Sequence, residues 1–174
     1  MAEIVQEGDP VLRKIATPVP HKDIGTSRLL RIIEQMSVAL KKEINGVALA
    51  APQIGVSLRL FIVSKNVFGK DGVELEDEIL PKDDLVFINP ELVRTSRKVV
   101  SLSEGCLSVR GIFGKTKRHE KVSISAYNRS GKRFTWNGTG LIAQIFEHEM
   151  DHLDGILFID HAKDFTGEGE TNGE

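Results

Sequence analysis

The stretch FEHEMDHLDG, residues 146–155, sets two histidines four positions apart, with a glutamate directly after the first. Helical period surrounds it: Leu141, Ile145, His148 and His152 follow steps of four, three and four, so they form one stripe. Ile142, Phe146, Met150 and Leu153 form a second, wholly apolar face. A helix with apolar residues on most sides belongs in the interior. The fold must therefore close around this segment and find partners for its histidines. Two imidazoles one turn apart can chelate a divalent ion, while Glu149, about 100° around the helix, is placed to touch a water beside that ion. The plainer reading is a charged helix that carries histidines and glutamates by chance.

A catalytic ion of this kind needs a third protein ligand and an open position. Downstream, Asp154, Asp160, His161 and Asp164 are available, but none lies on a convincing further helix. Upstream, SEGCLSV (103–109) contains the only cysteine, Cys106. A thiolate there would serve, although a free cysteine is more commonly a small buried hydrophobe. A third stretch, NGVALAAPQIGV (45–56), crowds small residues between Gly46 and Gly55, which permits close backbone approach. Gln53 is a polar residue inside that apolar run, either aimed at a ligand or facing solvent from a tight loop.

The rest of the chain reads as one α+β domain. Its 174 residues suffice for one hydrophobic core. Segment 27–43 is an amphipathic helix stopped at Asn45-Gly46. Asp9 before Pro10 reads as an N-cap with proline at the first helical position. LRLFIV (58–63) reads as a strand, and LVFINPELV (85–93) as another, interrupted near Pro90. Between them, residues 65–84 hold seven acids and three bases, a solvated excursion. KVSISAY (121–127) and KRFTW (132–136) pair through an Asn-Arg-Ser-Gly turn, and helical period resumes from Gly138. The expected architecture is small antiparallel sheets packed around a central C-terminal metal-binding helix, with an N-terminal amphipathic helix. Residues 1–162 form the domain, and 163–174 an acidic, disordered tail.

Net charge −2 gives no reason to expect DNA or a membrane as partner. The N-terminus lacks a signal-peptide pattern and no apolar run is long enough to span a bilayer. One cysteine excludes an intramolecular disulfide and fits a reducing compartment, so the expectation is a cytoplasmic monomer.

Taken together and in this order, GVALAAPQIG, EGCLS and HEMDHLDG resemble the three signature motifs of the bacterial-type peptide deformylases, over about Asp9 to Asp160. The resemblance implies an enzyme that removes the formyl group from the N-terminal formylmethionine of newly made polypeptides, releasing formate. It implies Cys106, His148 and His152 as metal ligands, with water or hydroxide in the fourth position. Glu149 is then general base and acid, and Gln53 and the Leu107 N–H stabilise the oxyanion. Fe(II) is the favoured ion, with Zn(II), Ni(II) or Co(II) as alternatives. Gly46, Val47, Ala48, Leu141 and Ile145 are the expected substrate wall, with Gln144 at its rim. Glu104 and Arg118 match family positions and read as a supporting ion pair.

Some features depart from the family pattern. Ala48 stands where a glycine is usual, Gln144 where the family is apolar, and Glu147 where glutamine is common. The acidic C-terminus lacks the basic helix that some relatives use at the ribosome. Residues 94–133, with eleven Lys/Arg against two acids, are an alternative surface for transient ribosome contact, or simply a solvated strand face. His21, His119 and His161 are expected at the surface without partners. Two rivals stay open: a zincin-like peptidase with a downstream third ligand, and a family member retained for binding without hydrolysis.

Overall fold

A computed structural model describes residues 2–68 and 81–167. Helix α1 spans Ser27–Lys41 and α2 spans Leu141–Leu153. Eight strands accompany them among the described residues: β1 Ala48–Ala50, β2 Leu60–Val63, β3 Leu85–Thr95, β4 Val99–Cys106, β5 Val109–His119, β6 Lys121–Tyr127, β7 Arg133–Thr139 and β8 Lys163–Gly167. They form an antiparallel sheet of order β1-β2-β3-β6-β7 and a second of order β4-β5-β8. The fold is thus α+β, with α2 packed against β1, β6 and β7 of the larger sheet and β5 of the smaller.

Strand periodicity explains the layering. In β2, Phe61 and Val63 point to α2, joining Ile142 and Phe146, while Leu60 and Ile62 point to α1, joining Ile33 and Met36. Both faces of this short strand are covered, which is why it reads as an unbroken apolar run. Phe61 stacks on Phe87 with ring centroids 4.6 Å apart, and Phe146 meets Phe87 edge-on. These rings anchor the apolar face of α2, leaving its other stripe for the histidines.

Three expectations need correction. Strand β3 runs through Pro90: the register shifts between Ile88 and Glu91, with Asn89 at φ 49°, so a bulge absorbs the proline. The Asn89 amide also binds both backbone groups of Val19, at 2.8 Å each. Residues 163–167, expected in the disordered tail, form β8 on the free edge of β5. The rest of that tail, and residues 69–80 of the acidic excursion, lie outside the described residues. Finally, α2 begins at Leu141, because Gly138 belongs to β7 and Gly140 turns the chain at φ 54°. A Cβ at Gly138 would lie 2.6 Å from Ile142, so glycine lets β7 approach the helix.

The expected cap and turn are present. Asp9 accepts a hydrogen bond from Val11 N at 2.9 Å, ahead of a 3-10 turn at Pro10–Arg13. Asn128 Oδ1 accepts from Ser130 N and Lys132 N in the β6–β7 turn. No helix among the described residues is long and apolar enough to cross a membrane.

Candidate metal centre and its cavity

The end of β4 delivers Cys106 to the middle of α2, where it meets His148 and His152. One donor atom from each lies within 4.8 Å of the others, and Cys106 Sγ is 3.2 Å from His152 Nε2. No downstream residue joins this group among the described residues. Asp154 pairs with Arg59, Asp160 with Arg13, and His161 with Asp151.

A buried polar chain holds the first histidine. Glu104 Oε1 is 2.6 Å from His148 Nδ1. Arg118 donates to both oxygens of Glu104, Thr116 Oγ1 donates to Glu104 Oε2, and Arg118 reaches Asp151 at 2.8 Å. Burial alone would raise the Glu104 carboxyl, but hydrogen bonds from His148 and Arg118 outweigh it and hold it well below the usual carboxylate range. Burial likewise opposes charge on His148, yet hydrogen bonds to Cys106 and Glu104 push it well above the ordinary histidine value. His152 moves the other way, through burial and then the charge of His148.

Glu149 is buried and its Oε2 has no hydrogen-bond partner. Burial pushes this carboxyl up to about 7, with the charge of His148 opposing. Gln53 is fixed from two sides: its Oε1 accepts from Ala50 N at 2.8 Å and its Nε2 donates to Ser108 Oγ at 3.1 Å. The same Nε2 lies 3.6 Å from Cys106 Sγ, so its second N–H faces the site.

Gln53, Glu104, Cys106, His148 and Glu149 floor a cavity of about 700 Å³. Val47, Ala48, Leu107, Leu141, Gln144 and Ile145 are among the residues that line it. Gln144 is half-buried and donates to Ser103 O at 2.9 Å, tying α2 to β4. Gly46 does not line the cavity: a Cβ there would sit 2.7 Å from Leu40, so its glycine serves packing on α1. Ala48 occupies a strand position opposite Val63, where a side chain is accommodated.

Sequence reasoning missed several members. Ser108 orients Gln53 and donates its N–H to Cys106 Sγ at 3.4 Å. Thr116 stands two residues before Arg118 on the same face of β5, a spacing that signals its role once the strand is known. At the mouth, Arg110 makes a two-pronged ion pair with Glu43, at 3.0 and 2.7 Å. The surface histidines do have partners: His119 Nδ1 is 2.6 Å from Glu147, His161 is 3.2 Å from Asp151, and His21 packs edge-on against Tyr127. Within the basic stretch, Lys98, Arg110, Arg118 and Arg133 are each paired with an acid.

An α+β fold that encloses an HExxH helix and brings it a cysteine from a neighbouring strand has the geometry of a metal-dependent hydrolase. The profile of the polypeptide deformylase family matches residues 1–168, and the chain belongs to that family of enzymes. It is 42% identical over 158 residues to a peptide deformylase of Halothermothrix orenii, covering 91% of each chain. It is 38% identical to that of Carboxydothermus hydrogenoformans, covering 96% of this chain and 97% of the relative. It also matches a chloroplastic peptide deformylase 1A of Solanum lycopersicum at 38% identity, but spans only 59% of that relative's length. Among solved structures, a peptide deformylase from Legionella pneumophila superposes with a TM-score of 0.80 at 37% identity, over 94% of this chain and 86% of that one. One from Acinetobacter baumannii, bound to Met-Ala-Ser, gives 0.80 at 30% identity, over 92% and 99%.

Proposed function

We propose that this chain removes the formyl group from N-formylmethionyl peptides, releasing formate and a free amino terminus. The observation that carries this reading is the convergence of Cys106, His148 and His152 beside Glu149, whose buried Oε2 has no hydrogen-bond partner, at the base of a cavity walled by Val47, Leu141 and Ile145. The Acinetobacter relative bound to Met-Ala-Ser supports the substrate class.

The donor set suits Fe(II), which we favour, as well as Zn(II), Ni(II) or Co(II). The ion would supply a Lewis acid and lower the pKa of water at the site towards neutrality. Glu149 takes the proton from the attacking water and passes it to the departing amine, a task suited to a carboxyl near 7. Gln53 Nε2 donates to the developing oxyanion through the N–H that otherwise faces Cys106 Sγ, and the Leu107 N–H donates beside it, while Ala50 and Ser108 keep the Gln53 amide in place. Glu104 fixes the His148 ring and Arg118 fixes Glu104. The peptide lies between β1 and β4, which are edge strands of separate sheets and both border the cavity. Cys106 in the third donor position, where a zincin-like peptidase takes a downstream residue, favours this reading over that rival.

The test is formate release from formyl-Met-Ala-Ser by anaerobically purified protein, with Glu149→Ala as control. Release by wild type and a loss of roughly a hundredfold or more in the variant, with metal retained, is expected. Full metal loading without formate release would overturn the proposal.

A further inference from the structure

The cavity does not end at its mouth. Its outer rim carries Ile112 and Phe113, both about two-fifths exposed, on the bulged start of β5. Ile112 also lines a second, shallower hollow of about 430 Å³, shared with Ile159, Phe165, Thr166 and Gly167. Phe165, on β8, is half exposed, and among the described residues no charged side chain lines this hollow. The two concavities are therefore joined through one apolar residue.

Sheet register gives the distance. Gly105, beside the metal-ligating Cys106, pairs with Phe113, and Ile112 pairs with Gly167 on the next strand. Two inter-strand spacings amount to roughly 10 Å, which about three residues of extended chain can span. Exposed apolar side chains in a continuous run mark a surface that is covered during function. Its continuity with the substrate cavity indicates what covers it.

Resting on the deformylase reading, we infer that the second hollow holds an apolar side chain of the same peptide substrate, about three to five residues beyond its formylmethionine. Tripeptides fill only the first cavity. Longer chains with an apolar residue at the right distance gain the Ile112–Phe165 surface, so the site selects apolar nascent segments through KM and leaves kcat unchanged.

The experiment measures formate release from formyl-Met-Ala-Ser and from formylated heptapeptides with leucine or serine at positions four to six. Phe165→Ser is compared with wild type; its tripeptide kinetics report an intact fold and centre, because Phe165 lies outside the first cavity. Expected are KM values about five- to tenfold lower for leucine heptapeptides, a size appropriate to burying part of one apolar side chain, and loss of that advantage in the variant. Equal KM for leucine and serine peptides would overturn the inference, as would a preference that survives Phe165→Ser. Absence of release from every peptide, tripeptide included, would instead remove the deformylase reading on which it rests.

Discussion

At the floor of the cavity, Gln53, Glu104 and Glu149 are buried and polar, with Arg118 and His152 buried behind them, whereas at its mouth Ile44, Ile112, Phe113 and Leu141 are apolar and exposed. This inverts the usual arrangement of a globular protein. The floor is fixed by charge-assisted hydrogen bonds in which Glu104 alone joins His148, Arg118 and Thr116. The mouth carries the Arg110–Glu43 pair beside apolar side chains that face water. Desolvated charge holds reacting groups rigidly, and exposed apolar surface suits partners that vary in sequence. On the proposed function, chemistry and selection of peptide fall to regions with different physics.

The contrast can be broken most forcefully at the floor. Arg118→Ala leaves Glu104 and Asp151 without their buried cation and should cost about 3–5 kcal/mol, read by denaturant unfolding of the metal-loaded protein. Metal affinity should fall roughly ten- to a hundredfold, as Glu104 no longer fixes His148. A change below 1 kcal/mol with unaltered affinity would show that the chain does not hold the histidine. Between floor and mouth, Ile145→Ala should raise KM for formyl-Met-Ala-Ser about tenfold with kcat within about twofold, the effect of losing apolar contact with methionine. An unchanged KM would remove Ile145 from the substrate wall.

The smallest effect is expected at the mouth. The Arg110 hydrogen bond holds the Glu43 carboxyl below its ordinary value. Because the folded value is depressed, the pair contributes to stability above the ordinary carboxylate range, and the contribution is lost as pH falls through the folded value. Arg110→Ala should return Glu43 towards 4.5 in an NMR titration, with little change in unfolding midpoint at pH 7. An unmoved Glu43 would mean that the ion pair is not formed in solution.

Legibility in the sequence followed the same division. The α2 segment was readable because helical period and ligand spacing coincide in thirteen residues. The β6–β7 hairpin was readable from its alternation and turn. Strands β4 and β5 were harder, since their burial alternates only partly and Gly105, Gly111 and Gly114 interrupt the pattern. Strand β8 has only Phe165 as an apolar cue, and its order comes from pairing with β5. Nor did the stretch around Gly46 show that this glycine faces Leu40 and not the cavity.

By itself, the sequence determined the helix that must be buried, the two histidines and glutamate on its face, and the candidate cysteine to complete them. Those are local properties, set by spacing along one element. Only the tertiary structure decided that Cys106 and not Asp154, Asp160 or His161 joins the histidines, that Ser108 and Thr116 steady the site, and that Ile112 links two hollows. These depend on strand register between segments dozens of residues apart, and register arises from the packing of whole sheets around α2.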